Sequence, residues 1–324
     1  MQPFEYASPA TLPEALALLG TKWGEVDVLA GGTDQISLMK EYVHTPKRVV
    51  NIKAIKELHG IHTGNGLRIG AATTFDELAL DKTVHAEYPS LTEAVMGITS
   101  PQIRNMGTVG GDLCQRPRCW YFRQGYGVLA LKDGKSLVPN GQNEYHAIFG
   151  GGPAYFVSPS SLGPALIALG ASVKLVSAAG SRTVPVARFF VSPQNDQTRE
   201  IALLPNEILT EIVIPPARGV HNATYEVRHK DALDWPLATA SVALTMNGSR
   251  VSKASVVLGH VAPTPWPSPV ANQALAGNSL TDSVIEKAAE AAVADAKPLS
   301  QNSYKVQLAK VAVKRALNQA AGRA

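Results

Sequence analysis

The sequence predicts an α+β chain made of two α/β units followed by a unit of antiparallel sheet and helices. Three observations carry this. Short apolar runs alternate with capped helical patterns through residues 1–214. Two β-rich runs, Ala238 to Met246 and Val251 to Val261, flank Asn247-Gly248, a strong hairpin signal. Two helical patterns, Thr281 to Ala294 and Ser303 to Ala320, close the chain. The breaks between these patterns give units of 1–57, 58–214 and 215–324.

In the first unit, Thr11-Leu12-Pro13-Glu14 is a capping box, and the helix it opens is expected to end at Gly20. Val26 to Ala30 reads as a short buried strand running into Gly31-Gly32-Thr33-Asp34, followed by a helical pattern from Ile36 to Tyr42. Arg48 to Ile52 reads as a further strand. In the second unit, Leu67 to Ala71 reads as a strand, and Phe75 to Leu80 and Pro89 to Met96 as helices. Residues 114–153 are irregular and rich in Gly, Arg and aromatics, a length of loop that usually carries function. Pro164 to Leu169 then reads as a helix and Ala171 to Val176 as a strand, with Gly180-Ser181-Arg182 in a turn. In the last helix, Val306, Leu308, Val311, Val313 and Leu317 form an apolar face. Lys305, Lys310, Lys314 and Arg315 are expected on a solvated one.

Composition narrows the function. Of 324 residues, 45% are hydrophobic and 17% charged, which suits folded cores rather than disorder. A net charge of +4 from scattered basic residues is weak support for nucleic-acid binding. Cys114 and Cys119 are the two cysteines, too few for a disulfide scaffold. No apolar run reaches the ~18 residues of a membrane span. The first residues lack the basic start and apolar core of a signal peptide.

Two segments carry candidate chemistry. In Val28-Leu29-Ala30-Gly31-Gly32-Thr33-Asp34 a strand delivers the chain into a double glycine. Such a turn aims backbone N–H groups into one concavity that suits an anion, and Thr33 adds a hydroxyl. Asp34 would repel a phosphate, so it is expected to turn away and cap the following helix. A plain capped turn accounts for this motif equally well. Thr108-Val109-Gly110-Gly111-Asp112-Leu113 repeats the pattern. It is neither a GxGxxG fingerprint nor a Walker A loop. Two matched diglycine loops in separate units could clamp one dinucleotide between them.

AGGTD, QIRNMGTVGGDLCQRPRCWYFR and VSPSSLGPALIALGASVKL together resemble the flavin-binding medium subunits of the molybdenum hydroxylases. TYEVRHKDALDWPLATASVAL, VVLGHVAPTPW and KPLSQNSYKVQLAKVAVKRAL extend the resemblance over nearly the whole chain. The likeness is strongest to the flavin subunits of bacterial aldehyde oxidoreductases. It implies a vanillyl-alcohol-oxidase-like (PCMH-type) FAD-binding fold in the first two units. The third would be a domain of the CO dehydrogenase flavoprotein type, with a three-stranded antiparallel sheet and a helical bundle. It also implies electron transfer. A large partner subunit would oxidise an aldehyde or related substrate at a molybdopterin cofactor, and a small one would relay electrons through two 2Fe-2S clusters. FAD in this chain would pass them to a terminal acceptor, with no catalytic acid or base here. The complex would be a cytoplasmic heterotrimer, or a periplasmic one exported with a partner.

By the same resemblance the FAD contacts fall on Leu29, Ala30, Gly31, Gly32, Thr33, Asp34 and Gln35, then on Thr108, Gly110, Gly111, Asp112 and Leu113. Ser161 and Leu209 complete the set. Three positions depart from the family pattern. Asp112 stands where Asn is usual and accepts but does not donate when ionised. Ser161 replaces an Asp, and Glu226 stands where a Lys is common, so no flavin contact is assigned to Glu226. Arg228 and Lys230 are nearby cations, and plain surface charges account for them at least as well as a flavin contact. Two other readings stay open: a self-contained flavin oxidoreductase of the same fold, whose substrate pocket the C-terminal unit would have to supply, and a flavin-free scaffold, which the three departures keep open.

Some relatives hold a 4Fe-4S cluster in the loop after the second diglycine. Here that loop keeps Cys114 and Cys119, and a cluster needs about four thiolates. No 4Fe-4S cluster and no metal site are therefore expected. The two cysteines read as reduced thiols, with Trp120, Tyr121 and Phe122 filling the former cluster pocket or approaching the flavin. The eight histidines are dispersed, and Glu286 and Glu290 read as one solvated helix face.

Overall fold

The computed structural model of the chain describes residues 1–323; Ala324, the end of the expected third unit, lies outside the described residues. Four sheets organise the described residues. The first is parallel, with Arg48–Asn51 between Glu5–Ala7 and Val26–Leu29. Val49 and Val50 are buried at its centre, whereas Val26–Leu29, expected to be buried, is half-buried throughout. Beside it, the helix Leu12–Ala17 opens on the expected capping box. Thr11 Oγ1 accepts from Glu14 N at 3.4 Å, and Glu14 Oε2 accepts from Thr11 N at 3.3 Å. That helix ends on Leu18 in a right-handed conformation, two residues before Gly20.

The second sheet is antiparallel, in the order Ile61–Gly64, Gly66–Gly70, Ile208–Ile214, Ser172–Ser177, Gly180–Pro185. Its central strand arrives late in sequence: Ile214 pairs with Leu67 and Val213 with Ser172. Leu67, Ile69, Val173, Leu175 and Ile212 form a core with the helices Phe75–Leu80, Pro89–Met96 and Leu162–Ala168. Gly180-Ser181-Arg182, expected in a turn, belongs instead to the edge strand, and Ala178-Ala179 turn the chain. That strand is exposed along most of its length and has no apolar alternation to betray it. Arg182 fixes it by reaching Glu207 with two nitrogens at 2.6 and 2.7 Å.

The third sheet is antiparallel: Val220–Val227, Ala238–Asn247, Arg250–Gly259 and the two-residue strand Trp266–Pro267. The three expected strands are present, and the proline-rich loop adds the short fourth. Asn247 pairs with Arg250, so the hairpin turns on Gly248-Ser249, with Gly248 at φ +59°. The helices Pro269–Leu275, Asp282–Val293 and Tyr304–Ala320 cover one face. Their buried stripe is largely alanine (Ala288, Ala289, Ala309, Ala312 and Ala316), whose small side chains let helix and sheet approach closely. The basic face of the last helix is interrupted. Lys310 and Lys314 pair with Glu286 at 2.7 and 2.8 Å on the surface. Lys305 is 1% exposed and points inward, donating to the carbonyls of His260 at 2.7 Å and of Tyr145 and His146 at 3.3 Å. Three carbonyls replace the water it gives up, and burial pushes its pKa down to about 7.

The fourth sheet is a two-stranded ribbon, Leu131–Lys132 with Lys135–Ser136, inside the irregular segment, which also holds the short helix Trp120–Arg123.

Candidate cofactor site

A cavity of about 340 Å³ opens between the parallel sheet and the five-stranded sheet. Ala30, Gly31, Gly32, Thr33, Asp34 and Gln35 line it on one side, and Thr108, Gly110, Gly111 and Asp112 on the other. Ser161 and Leu209 also reach it. Leu29 and Leu113 stand off its wall; Leu113 is in the core of the second sheet.

The first glycine loop packs on the residues that lead into the second, and the second packs on its own unit. A Cβ on Gly31 would overlap the Met106 carbonyl oxygen and come within 2.9 Å of the Gly107 Cα. A Cβ on Gly110 would come within 2.8 Å of the Ala71 Cβ. Gly32 takes φ +75°, the left-handed turn that leads from strand to helix.

The loops differ in what they offer a ligand. The second is stitched to its own unit: Val109 N donates to Thr73 O and Gly110 N to Ala71 O, both at 2.9 Å. Gly111 N donates to Thr108 Oγ1 at 3.1 Å. It contributes shape rather than free donors. In the first loop, the amides of Gly31, Gly32, Thr33 and Asp34 donate to no group among the described residues. Free amides beside a wall of Val28, Ile52, Ile208 and Leu209 fit an extended molecule with an anionic centre and a flat apolar end, as FAD is.

Asp34 does not cap its helix; no side-chain cap bond forms there. Its carboxylate accepts from the Arg116 amide at 2.9 Å and from Arg123 Nη2 at 2.7 Å, with Arg118 at 3.8 Å. Charged guanidinium donors outcompete a helix amide for the same carboxylate. Asp112 is buried and acts purely as an acceptor. It takes hydrogen bonds from the Ser160 hydroxyl, from Ser161 N at 3.2 Å, Leu162 N at 3.0 Å and Gln115 Nε2 at 3.1 Å. It thereby satisfies the start of the helix Leu162–Ala168 and fixes Ser161 at the cavity edge. Burial raises its pKa, against the pull of these four donors. At the cavity wall Gln35 donates to Asp27, another lining residue, at 2.5 Å. Burial alone would raise the Asp27 pKa, but His44 at 3.3 Å, with Gln35, brings it below the usual carboxylate range.

Several lining residues carry no signal in the sequence. Arg116, Arg118 and Arg199 place cations at the wall, and Arg199 lies 4.2 Å over the Trp23 ring. Gly97 to Ser100 and Leu233 to Pro236 complete the rim. Behind it, Glu226 lies against Gly97 with both carboxylate oxygens buried and unpartnered. Arg228, beside it, donates instead to Gly97 O at 2.6 Å.

The cysteines lie in different surroundings. Cys114 packs on the core of the second sheet, and burial pushes its thiol up to about 12. Cys119 Sγ faces His146 Nε2 at 3.2 Å beside Phe122 and Leu38. Burial pushes His146 down to about 4, so this is a contact between neutral groups. Trp120 packs edge-on against His146, and Tyr121 lies tilted beside it.

Comparison with known proteins names the same cofactor. Residues 2–217 match the FAD binding domain in molybdopterin dehydrogenase, and residues 223–320 match the CO dehydrogenase flavoprotein C-terminal domain. The chain is 31% identical to the carbon monoxide dehydrogenase medium chain of Hydrogenophaga pseudoflava, over 98% of this chain and 96% of that one. It is 29% identical to the aldehyde oxidoreductase FAD-binding subunit PaoB of Escherichia coli, over 96% of each. A solved structure of reconstituted CO dehydrogenase from Oligotropha carboxidovorans superimposes with a TM-score of 0.78 at 29% identity, covering 100% of this chain and 99% of that one. The chain belongs to the FAD-binding medium subunits of the molybdenum hydroxylase family, and is an oxidoreductase subunit.

Proposed function

We propose that this chain is the electron-transfer subunit of a molybdenum-containing aldehyde oxidase or dehydrogenase. A large partner subunit would oxidise the substrate at a molybdopterin cofactor. A small partner subunit would deliver the electrons through two 2Fe-2S clusters. The observation that carries this reading is the meeting of the two diglycine loops on one cavity, one with free amides and one with close-packed backbone. FAD supplies acceptance of two electrons and their release to a second acceptor. The chain's residues bind and orient it.

In this reading the amides of Gly31 to Asp34 receive the pyrophosphate, with Ala30 and Gln35 flanking it. Thr108, Gly110 and Gly111 shape the opposite wall, and Asp112 holds Ser161 in place. Leu209 packs near the flavin. Leu29 and Leu113 support the loops from outside the cavity. The units 1–57 and 58–214 hold the cofactor between them, and 215–324 packs behind. Among the described residues no helix is long and apolar enough to cross a membrane. We assign the complex to the cytoplasm, with co-export to the periplasm as the other outcome.

A visible spectrum of the purified chain tests the reading, with released flavin and iron assayed on the same sample. One FAD per chain without iron, and co-purification from the native host of a molybdenum-containing chain and an iron–sulfur chain, is the expected result. A folded, colourless chain without such partners overturns it.

A further inference from the structure

The cavity rim is made by two loops that are remote in sequence. One is the arginine-rich stretch after the second diglycine, which carries Arg118. The other joins Val220–Val227 to Ala238–Asn247 and carries Leu233 and Trp235. Trp235 is 44% exposed and Leu233 76%, so residues that line the cavity also meet solvent, which marks this edge as its opening. Across it, the Arg118 guanidinium carbon lies 3.9 Å from the centre of the Trp235 ring.

Each loop is fixed from behind. Asp34 holds the Arg116 amide and the Arg123 side chain, while Arg118 Nη2 donates to Gln115 Oε1 at 3.3 Å. On the other side, Asp234 accepts from the amides of His229, Lys230 and Trp235 at 3.0, 2.9 and 2.9 Å. Leu233 N donates to Thr99 Oγ1 at 2.7 Å, with the Leu233 backbone in the left-handed region at φ +53°. Two anchored loops meeting in one stacked pair form a closed span. A planar guanidinium stacks on an indole face, a cation–π contact with stacking that a lysine ammonium reproduces only in its charge.

Resting on the FAD reading above, we propose that Arg118 and Trp235 form a clasp across the cavity opening that slows departure of the cofactor. Neither takes part in electron transfer; both are positioning residues. The stack opens by separating one contact and leaves the glycine loops in place. Its loss therefore acts on the rate of cofactor release more than on folding.

The test is flavin release from the purified full chain, followed by fluorescence recovery after dilution, with the melting temperature measured alongside. Trp235→Ala and Arg118→Gln should each speed release about tenfold, from the strength of such a pair. The double variant should release no faster than the faster single one. Arg118→Lys, which keeps the charge but not the stack, should fall between Arg118→Gln and the wild type, and Trp235→Phe should stay within about twofold of the wild type. Melting temperatures should hold; if Trp235→Ala fails to fold, the Lys and Phe variants carry the comparison. Wild-type release rates in the variants, or independent multiplying effects in the double one, overturn the clasp while the FAD reading stands. A wild-type chain that holds no FAD overturns both.

Discussion

Asp34 and Arg123 meet at 2.7 Å across 89 residues of chain. The acid that ends the first glycine loop is thereby the anchor of the cysteine-bearing segment, and its loss should be felt there first. Asp34→Ala leaves the Arg123 guanidinium with only the carbonyls of Pro117 and Arg116, and the Arg116 amide without its acceptor. We expect a loss of about 2–4 kcal/mol. Limited proteolysis should show cleavage moving into residues 114–153. Asp34→Asn keeps an acceptor for the amide and should cost less than half as much. Equal stability of the Ala variant and the wild type in urea would refute the anchoring role.

The glycine contacts give a sharper expectation. Gly31→Ala forces a methyl into the Met106–Gly107 backbone, and Gly110→Ala forces one into Ala71 of its own unit, at about 1–3 kcal/mol each. FAD per chain should fall from one to near zero in both. Gly32→Val and Gly111→Val should do the same, the first through its left-handed backbone and the second by displacing the Thr108 hydroxyl, 2.8 Å from the added Cβ. Gly64→Ala meets nothing within 4 Å and is the matched control. Stoichiometric flavin in the Gly31 and Gly110 variants would sink the close backbone packing at these glycines as the binding feature.

Glu226 should make stability depend on pH. Burial raises its carboxyl from 4.5 to about 8, with Arg228 opposing the rise and Asp112 adding to it. Nearby Glu93, raised to about 7 by burial, accepts from Thr224 N at 2.5 Å. Between 4.5 and 8 the folded chain keeps a proton that the unfolded chain has lost. Stability is therefore fully present below about 4.5 and declines as pH rises through about 8. Glu226→Gln should flatten that decline by an amount on the order of a few kcal/mol. Melting temperatures from pH 5 to 9 check it; parallel curves for variant and wild type would exclude the effect.

Lys305 works in the opposite sense. Its pKa lies at about 7 in the fold against 10.5 in the open chain. Its contribution is present above 10.5 and is lost as pH falls through about 7. Lys305→Met keeps the volume but leaves the carbonyls of Tyr145, His146 and His260 without this donor, at about 2–4 kcal/mol near neutral pH. Denaturant titrations at pH 7 and pH 9 should show the wild type gaining stability over that interval and the variant gaining less.

Much of the local architecture was legible because it is written in short range. Thr11 with Glu14, and the helix spans Phe75–Leu80 and Pro89–Met96, follow from neighbours a few residues apart. The glycine loops were legible as a pair through their repeated pattern, and the family through several segments together. What stayed hidden depends on distant partners. Asp34 looked like a helix cap because its arginines lie in another unit. Lys305 looked like a surface charge because its three carbonyls come from two other loops. Glu5–Ala7 is three residues long and exists by pairing with Arg48–Val50, which no pattern within it announces. The rim pair Arg118 and Trp235 is likewise a product of topology.

The strand Ile208–Ile214 sits between Gly66–Gly70 and Ser172–Ser177 and carries Leu209 to the cavity wall. During synthesis its two flanking partners leave the ribosome first and have no neighbour to join them. The second sheet can close only after the last of its strands has been translated, so its nucleus is built on distant contacts and forms slowly. Cofactor capture must wait for that closure. A nascent chain halted before Ile208 would expose the edges of two unpaired hairpins, the state most open to aggregation.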